Sequence, residues 1–126
     1  MLLMIQFDPD QRLGREERIH KRTEFQAIYQ KGAKLHTPFF VLYFVKGSSP
    51  HHRLGMTVSR KIGGAVVRNR VKRVFREIFR RNKPLGPVRL DLVLNAKRAA
   101  ALAPMAELEL EYRQALGRAL EETVEK

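Results

Sequence analysis

The first run of apolar residues at helical spacing predicts a short helix. Phe25 is followed by Ile28 and Tyr29, which places the three side chains on one helical face. Thr23 belongs to the residue types that cap the amino ends of helices, and Gly32 to those that end them. We therefore expect a helix that follows a Thr23 cap, ends at Gly32 and buries one side.

Two strand-like stretches follow this helix. Residues 39–45 are a continuous run of mostly aromatic and β-branched residues, which predicts a strand buried on both faces. Within it, Val41 and Tyr43 would share the face opposite Phe40. Residues 53–59 alternate between large apolar and small residues, which predicts a strand with one core face and one small, open face.

The second half of the chain returns to helical spacing and carries one more strand. Residues 65–82 are predicted to form an amphipathic helix. Its apolar stripe consists of Val67, Val71, Val74, Phe75 and Ile78. Residues 89–95 alternate again with leucines inward. A last helix is predicted from about Pro104, with apolar residues at helical spacing at Leu108, Tyr112, Ala115, Leu116 and Ala119. The order helix, strands, helix, strand, helix indicates an α+β sandwich with helices packed on a small sheet.

Length and composition narrow the class of protein. With 126 residues, 44% of them hydrophobic, we expect a single domain spanning residues 1–126, with residues 1–11 poorly ordered or extended. The absence of cysteine excludes disulfides and thiolate metal sites and is typical of a reducing compartment. No apolar run reaches the roughly 20 residues of a transmembrane helix. These features predict a soluble, cytoplasmic protein without a membrane partner.

The positive charge is concentrated in one segment. The formal net charge is +12, and residues 60–83 hold ten basic residues and one acidic residue, a net charge of +9. From residue 99 onward, acidic residues outnumber basic ones. Because a polyanion would relieve the repulsion within such a segment, nucleic acid is the first partner to consider. A basic face exposed only to solvent is the alternative interpretation.

Two residue types in this sequence suit single-stranded RNA. Arg68 and Lys72 follow one another at an interval of four on the predicted basic helix, which aligns their donors for successive phosphates. Phe25, Tyr29 and Tyr43 are candidates for stacking with unstacked bases if they share a face with that helix. Taken singly, each aromatic residue is more often a core residue.

Little in the sequence supports an independent enzyme. The four histidines are scattered, and the adjacent His51 and His52 would point in different directions from a turn, which disfavours a metal site. Carboxylates outside the last helix form no acid and base pair, and no nucleophile or phosphate-loop motif is present. If a reaction is involved, we expect its catalytic groups in a partner, with no catalytic residue and no metal ligand in this chain.

Residues 59–77 resemble the signature of the protein subunit of bacterial ribonuclease P. The matching motif is Arg68-Asn69-Arg70, followed by Lys72-Arg73 and Arg76, on an amphipathic helix that comes after Ser59-Arg60-Lys61 and a glycine pair. Upstream, residues 22–32 and 40–43 are similar in spacing to the first helix and the aromatic strand of the family. The similarity covers about residues 12–120.

The resemblance implies the protein subunit of a ribozyme that removes the 5′ leader from precursor tRNA. The RNA subunit would cleave the RNA with Mg²⁺ bound through RNA. The protein would bind the catalytic RNA and the single-stranded leader, would carry no cofactor of its own and would be monomeric when free. Tyr29 stands where many relatives have phenylalanine, and its ring can still stack.

The resemblance also implies which residues contact RNA. A central cleft for the leader would be lined by Phe25, Tyr29, Val41, Tyr43, Arg68, Asn69, Lys72 and Arg76. A second group would lie in or beside the region that faces the catalytic RNA, and it consists of Arg60, Lys61, Arg70 and Arg73.

The fold implied by the family is a two-layer α/β sandwich in the order α-β-β-β-α-β-α, described as ribosomal protein S5 domain 2-like. In this fold the strand at residues 53–59, the basic helix and the strand at residues 89–95 form a βαβ unit with a left-handed crossover. About 98% of such units are right-handed. The family therefore implies the rare left-handed crossover, against this general rule.

Two other function classes fit the composition. One is a basic ribosomal or nucleoid-type protein that binds nucleic acid by charge and has no role in catalysis. The other is a basic amphipathic helix that lies on an anionic membrane surface. Neither needs a small, open strand face beside the basic helix, so the face predicted at residues 53–59 favours the ribonuclease P interpretation.

Overall fold

Residues 5–124, the part of the chain that the computed structural model describes, form three α-helices and one four-stranded sheet. The elements in chain order are α1 (Arg22–Lys31), β1 (Ala33–His36), β2 (Phe40–Lys46), β3 (Arg53–Thr57), α2 (Ala65–Arg81), β4 (Leu90–Ala96) and α3 (Met105–Val124). Short 3₁₀ turns precede α1 at Arg15–Glu17 and α3 at Arg98–Ala101. The α+β class and the order α-β-β-β-α-β-α are confirmed.

The sheet places β4 between β2 and β3, because its strands lie in the order β1-β2-β4-β3. β2 pairs antiparallel with β1 and with β4, whereas β3 and β4 pair in parallel. Since the chain passes from β3 to β4 through α2, this parallel pair forms the expected βαβ unit. The left hand of the crossover stays a prediction.

Alternate residues of the central strands divide the interior into two cores. Leu42 on β2 and Leu92 on β4 belong to the larger core, which α2 and α3 cover. On the opposite face, Ile28 of α1 and Val93 of β4 form the centre of a smaller core. The helices therefore lie on both faces, with α2 and α3 on one and α1 on the other.

The spacing of buried residues in the two long helices is confirmed, except that Val67 and Val74 of the predicted α2 stripe are half-buried. In α2, Val71, Phe75 and Ile78 are buried as the predicted stripe requires, and Phe79 is buried too. In α3 the buried side chains recur at helical spacing and include Leu108, Tyr112, Ala115, Leu116 and Ala119. None of the helices between residues 5 and 124 combines the length and the apolar character needed to cross a bilayer.

The predicted start of α1 is wrong by about two residues. The helix begins at Arg22, because the carbonyl of Lys21 already accepts a hydrogen bond from the N–H of Phe25 at 3.2 Å. Thr23 therefore lies inside the first turn and does not cap it. The predicted end is confirmed, since the N–H of Gly32 makes the closing bond of the helix.

The burial predicted for two strands also needs correction. β2 is buried on one face only, because α1 covers just part of the other face and leaves Val41 and Tyr43 half-exposed. On β3 the small face is not open throughout. Gly55 is buried beneath the ring of Phe25, and exposure begins only at Thr57.

The amino-terminal segment lies extended against the loop after α2. The N–H of Asp8 donates a hydrogen bond to the carbonyl of Lys83 at 2.8 Å. The guanidinium of Arg113 on α3 lies 5.6 Å from the centre of the Phe7 ring. Residues 1–4 of the stretch predicted to be poorly ordered or extended lie outside the described residues.

Candidate nucleic-acid interface

The sheet face beneath and beside α1 carries three rows of side chains that run across β2, β4 and β3. The register pairs odd-numbered residues with odd-numbered residues, so these side chains all point to the same face. The rows are Val45-Asp91-Arg53, Tyr43-Val93-Gly55 and Val41-Asn95-Thr57. Arg53, Gly55 and Asn95, one from each row, approach Glu24, Phe25 and Tyr29 of α1 respectively.

The first row holds the amino-terminal end of α1 with ion pairs. Arg53 donates to both carboxylate oxygens of Asp91, at 3.0 Å from Nε and 2.8 Å from Nη2, and to Glu24 of α1 at 2.8 Å from Nη1. The bonds to Asp91 contribute most to raising the pKa of Arg53, and the bond to Glu24 adds to this against the opposing effect of burial. Arg53 therefore remains charged and links α1 to β3 and β4.

The second row places an aromatic ring directly on the sheet. A Cβ atom built on Gly55 would lie 2.7 Å from Cζ of Phe25 and 3.1 Å from Cβ of Ile19. The absence of a side chain at position 55 therefore allows Phe25 to approach β3 this closely.

The three aromatic residues singled out in the sequence lie together on this face. The ring centres of Phe25 and Tyr29 are 6.4 Å apart. Those of Tyr29 and Tyr43 are 4.8 Å apart, with the ring planes at 79°, which is the favourable edge-to-face arrangement. All three side chains are half-exposed.

Two residues of the third row, Asn95 and Thr57, are polar and hydrogen-bond to the carboxyl-terminal part of α1. The hydroxyl of Tyr29 donates to Oδ1 of Asn95 at 2.9 Å and lies 3.0 Å from Oγ1 of Thr57. Thr57 is exposed and Asn95 is half-exposed. This part of the face is therefore accessible and rich in hydrogen-bonding groups.

A groove of about 700 Å³ opens between Phe25, the edge of β3 and α2. Lys72 and Arg76 of α2 contribute to one wall, and Arg15 and Arg18 come from the chain that precedes α1. Among the described residues, none that lines it is acidic. An aromatic ring and four cationic side chains thus share one groove.

The remaining residues predicted for the leader cleft lie outside this groove. Arg68, one turn before Lys72, is half-buried, and its Nε is buried without a hydrogen-bond partner among the described residues. Asn69 is exposed on the same helix. Val41 lies in the third row of the sheet face, next to Asn95.

The residues predicted to face the catalytic RNA do not line the groove. Arg60, Lys61, Arg70 and Arg73 are all exposed. Arg70 donates to the carbonyl of Ala101 at 2.6 Å, which directs its guanidinium towards the turn before α3. Arg70 therefore faces the turn before α3, whereas Lys72 and Arg76 face the groove.

Sequence reasoning missed four polar residues near this face. Asn95 and Thr57 occupy odd positions of β4 and β3, and strict alternation along these strands was the signal that would have found them. Arg15 and Arg18 precede the first periodic element, and their approach to the groove depends on tertiary structure alone.

His52, the buried member of the histidine pair, hydrogen-bonds to the main chain. The buried His52 ring is 2.8 Å from the carbonyl of Pro84 through Nε2, and Nδ1 accepts the N–H of Leu90 at 3.1 Å. His51 is exposed. No three acidic or histidine side chains within residues 5–124 lie where they could share a metal ion.

Comparison with known proteins assigns the family. The family model for ribonuclease P matches residues 13–120. The ribonuclease P protein component of Desulfovibrio desulfuricans is 44% identical over 95 residues, which cover 74% of this chain and 73% of that protein. That of Brevibacillus brevis is 40% identical over 108 residues, with coverage of 85% and 86%. The solved RNase P protein from Thermotoga maritima matches with a TM-score of 0.73 and 34% identity, covering 81% of this chain and 96% of that one. The chain therefore belongs to the family of ribonuclease P protein components.

Proposed function

We propose that this chain binds the single-stranded 5′ leader of precursor tRNA while it is docked on the catalytic RNA of ribonuclease P. Membership of the family makes it part of a ribonuclease complex that processes tRNA. The observation that carries the leader-binding role is the groove that Phe25, Lys72 and Arg76 line together. An aromatic ring and cations in one groove are the combination that single-stranded RNA needs.

The groove and the adjoining sheet face bind different parts of a single strand. Phe25, Tyr29 and Tyr43 offer ring faces and edges for unstacked bases. Lys72 and Arg76 meet the phosphates that connect those bases. Of the other residues assigned to the leader, Val41 adds apolar surface on the sheet, while Arg68 and Asn69 extend the wall along α2.

Docking on the catalytic RNA is assigned to cations outside the groove. Arg60 and Lys61 lie in the turn before α2, and Arg70 and Arg73 lie on α2 itself. All four are exposed, so a second RNA surface could contact them while the leader occupies the groove. The segregation of the two groups supports simultaneous binding of both RNA partners.

The chemical step is assigned to the RNA subunit, with Mg²⁺ held through RNA. The contribution of this chain is to bind and orient the leader, which lowers the entropic cost of placing the scissile bond. We expect the free protein to be monomeric and to act in the cytoplasm. These assignments rest on the family.

Binding to precursor and mature tRNA tests the proposal. The holoenzyme is reconstituted with the unmutated protein, with Phe25→Ala or Lys72→Ala, and with Arg118→Ala, which removes an exposed cation on α3 as a matched control. Phe25→Ala and Lys72→Ala should weaken binding of the precursor and leave binding of mature tRNA unchanged. Equal losses with both ligands would show that these residues dock the catalytic RNA or maintain the fold.

A further inference from the structure

Asn95 has hydrogen-bonding groups that the protein leaves partly unused. The phenol of Tyr29 has a single hydrogen, and Oδ1 of Asn95 can only accept, so Tyr29 donates to Asn95 at 2.9 Å. The hydroxyl of Thr57, 3.0 Å away, must then donate to Tyr29. This network holds Oδ1 of Asn95 towards α1. Within residues 5–124, Nδ2 of Asn95 has no acceptor.

The surroundings of Asn95 suit a planar ligand. Asn95 and Tyr43 lie diagonally across the pair of strands β2 and β4, since Tyr43 is paired with Val93. Such diagonal neighbours are about 7–8 Å apart, within reach of aromatic side chains. Both residues are half-exposed, and Thr57 beside them is exposed. One flat ring system could therefore contact Tyr43 and the amide together.

The amide chemistry matches the edge of a nucleobase. Beside the bond from Tyr29, Oδ1 of Asn95 keeps one lone pair and Nδ2 keeps its donors, so the amide can still pair with a donor and an acceptor on a base edge, as asparagine does with adenine. Unstacked bases of single-stranded RNA expose these edges. Phosphate contacts such as those assigned to Lys72 and Arg76 carry no information about the base. Base identity is therefore best sensed in the third row of the sheet face.

We propose that Asn95 is a specificity-determining residue that hydrogen-bonds the edge of one unstacked leader base. Tyr29 is a positioning residue, because its hydroxyl fixes the orientation of the Asn95 amide. This inference rests on the proposed binding of the leader. It adds discrimination between bases, which neither the phosphate contacts of the groove cations nor stacking on the aromatic rings would provide.

A pool of precursor tRNAs with randomised leaders measures the discrimination directly. The pool is cleaved in competition by the reconstituted holoenzyme, and sequencing of reacted and unreacted molecules gives the relative kcat/KM of each base at each leader position. The protein is unmutated or carries Asn95→Leu, Tyr29→Phe or Gln114→Leu. Gln114→Leu removes an exposed amide on α3 and serves as the matched control. Thermal unfolding of each variant is recorded in parallel.

The unmutated protein should discriminate about fivefold or more at one leader position. Asn95→Leu should reduce this to less than about twofold at that position only. Tyr29→Phe should reduce it partially, since the ring is kept and the hydroxyl lost, and this variant keeps the test valid if Asn95→Leu fails to fold. Gln114→Leu should change nothing.

Two results would overturn the inference without affecting leader binding. One is an unmutated holoenzyme that shows no base preference at any position. The other is a preference that Asn95→Leu and Tyr29→Phe leave intact. If the unmutated holoenzyme bound precursor and mature tRNA with equal affinity, the proposed function itself would be refuted instead.

Discussion

A Cβ atom on Gly55 would lie 2.7 Å from Cζ of Phe25, so the ring at the centre of the candidate site reaches the sheet through the space that a side chain would fill. Phe25 borders the groove that holds Lys72 and Arg76. Tyr29, one turn later on α1, reaches Asn95. The position of α1 on the sheet thus sets the geometry of both the groove and the polar row.

Gly55→Ala should destabilise the protein and weaken leader binding together. The added methyl group would force Phe25 and Ile19 to shift, and overpacking of this kind costs about 1–3 kcal/mol. Chemical denaturation measures the loss of stability, and binding of precursor against mature tRNA measures the loss at the site. Gly64→Ala is the control, because a Cβ there meets no atom within 4 Å. A Gly55→Ala protein as stable as this control would contradict the packing argument.

Stacking and charge should be separable by salt. Tyr43→Ala should cost roughly 1–3 kcal/mol in precursor binding for one base and leave the salt dependence nearly unchanged. Lys72→Ala or Arg76→Ala should lower the magnitude of the slope of log affinity against log salt by about 0.7 for a single strand. Titrations at several salt concentrations give both quantities. A changed slope for Tyr43→Ala, or an unchanged one for both cation variants, would refute this division.

The ion pair between Lys83 and Glu17 should be essential for stability. Nζ of Lys83 lies 2.9 Å from Oε2 of Glu17, and both side chains are less than a tenth exposed. Removing one partner of a buried pair leaves an uncompensated charge and costs about 3–5 kcal/mol. Glu17→Gln and Lys83→Met should each show such a loss in chemical denaturation. The exposed pair of Arg12 and Asp10 serves for comparison, since Asp10→Asn should change stability little.

Titration of His52 should make the stability of the protein depend on pH. Burial is the main cause that lowers the pKa of His52, and nearby Arg89 and Lys83 lower it further, against the raising effects of the Pro84 carbonyl and Glu17. As pH falls, the unfolded chain therefore binds the proton first. The stabilisation is complete above about pH 6.5 and is lost as pH falls towards the lowered pKa of the folded state.

Unfolding free energies measured between pH 5 and 8 test this prediction. The unmutated protein should lose more stability on acidification than His52→Gln, in which the titrating ring is absent. His51→Gln, at the exposed neighbouring position, should follow the unmutated protein. Parallel pH profiles for His52→Gln and the unmutated protein would refute the assignment.

The sequence alone determined those features that depend on local period and composition. The buried faces of α2 and α3 follow from apolar residues at helical spacing, and the strands from alternation. The motif that includes Arg68, Asn69 and Arg70 identified the family because it is contiguous. Local patterns predicted burial wrongly where residues from distant parts of the chain cover a position. Gly55 lies on the strand face predicted to be open, but it is buried beneath Phe25.

The tertiary structure alone decided which of these residues meet. Tyr29 and Asn95 are far apart in the chain, and their contact depends on the register of β2, β4 and β3 and on the placement of α1. Lys72 shares a groove with Phe25, whereas Arg70, two residues away, turns to Ala101. Helical geometry separates neighbouring side chains by about 100°, so the packing of α2 against the sheet selects which cations reach the leader site. Contacts between distant segments are set by strand order and packing, which no local period encodes.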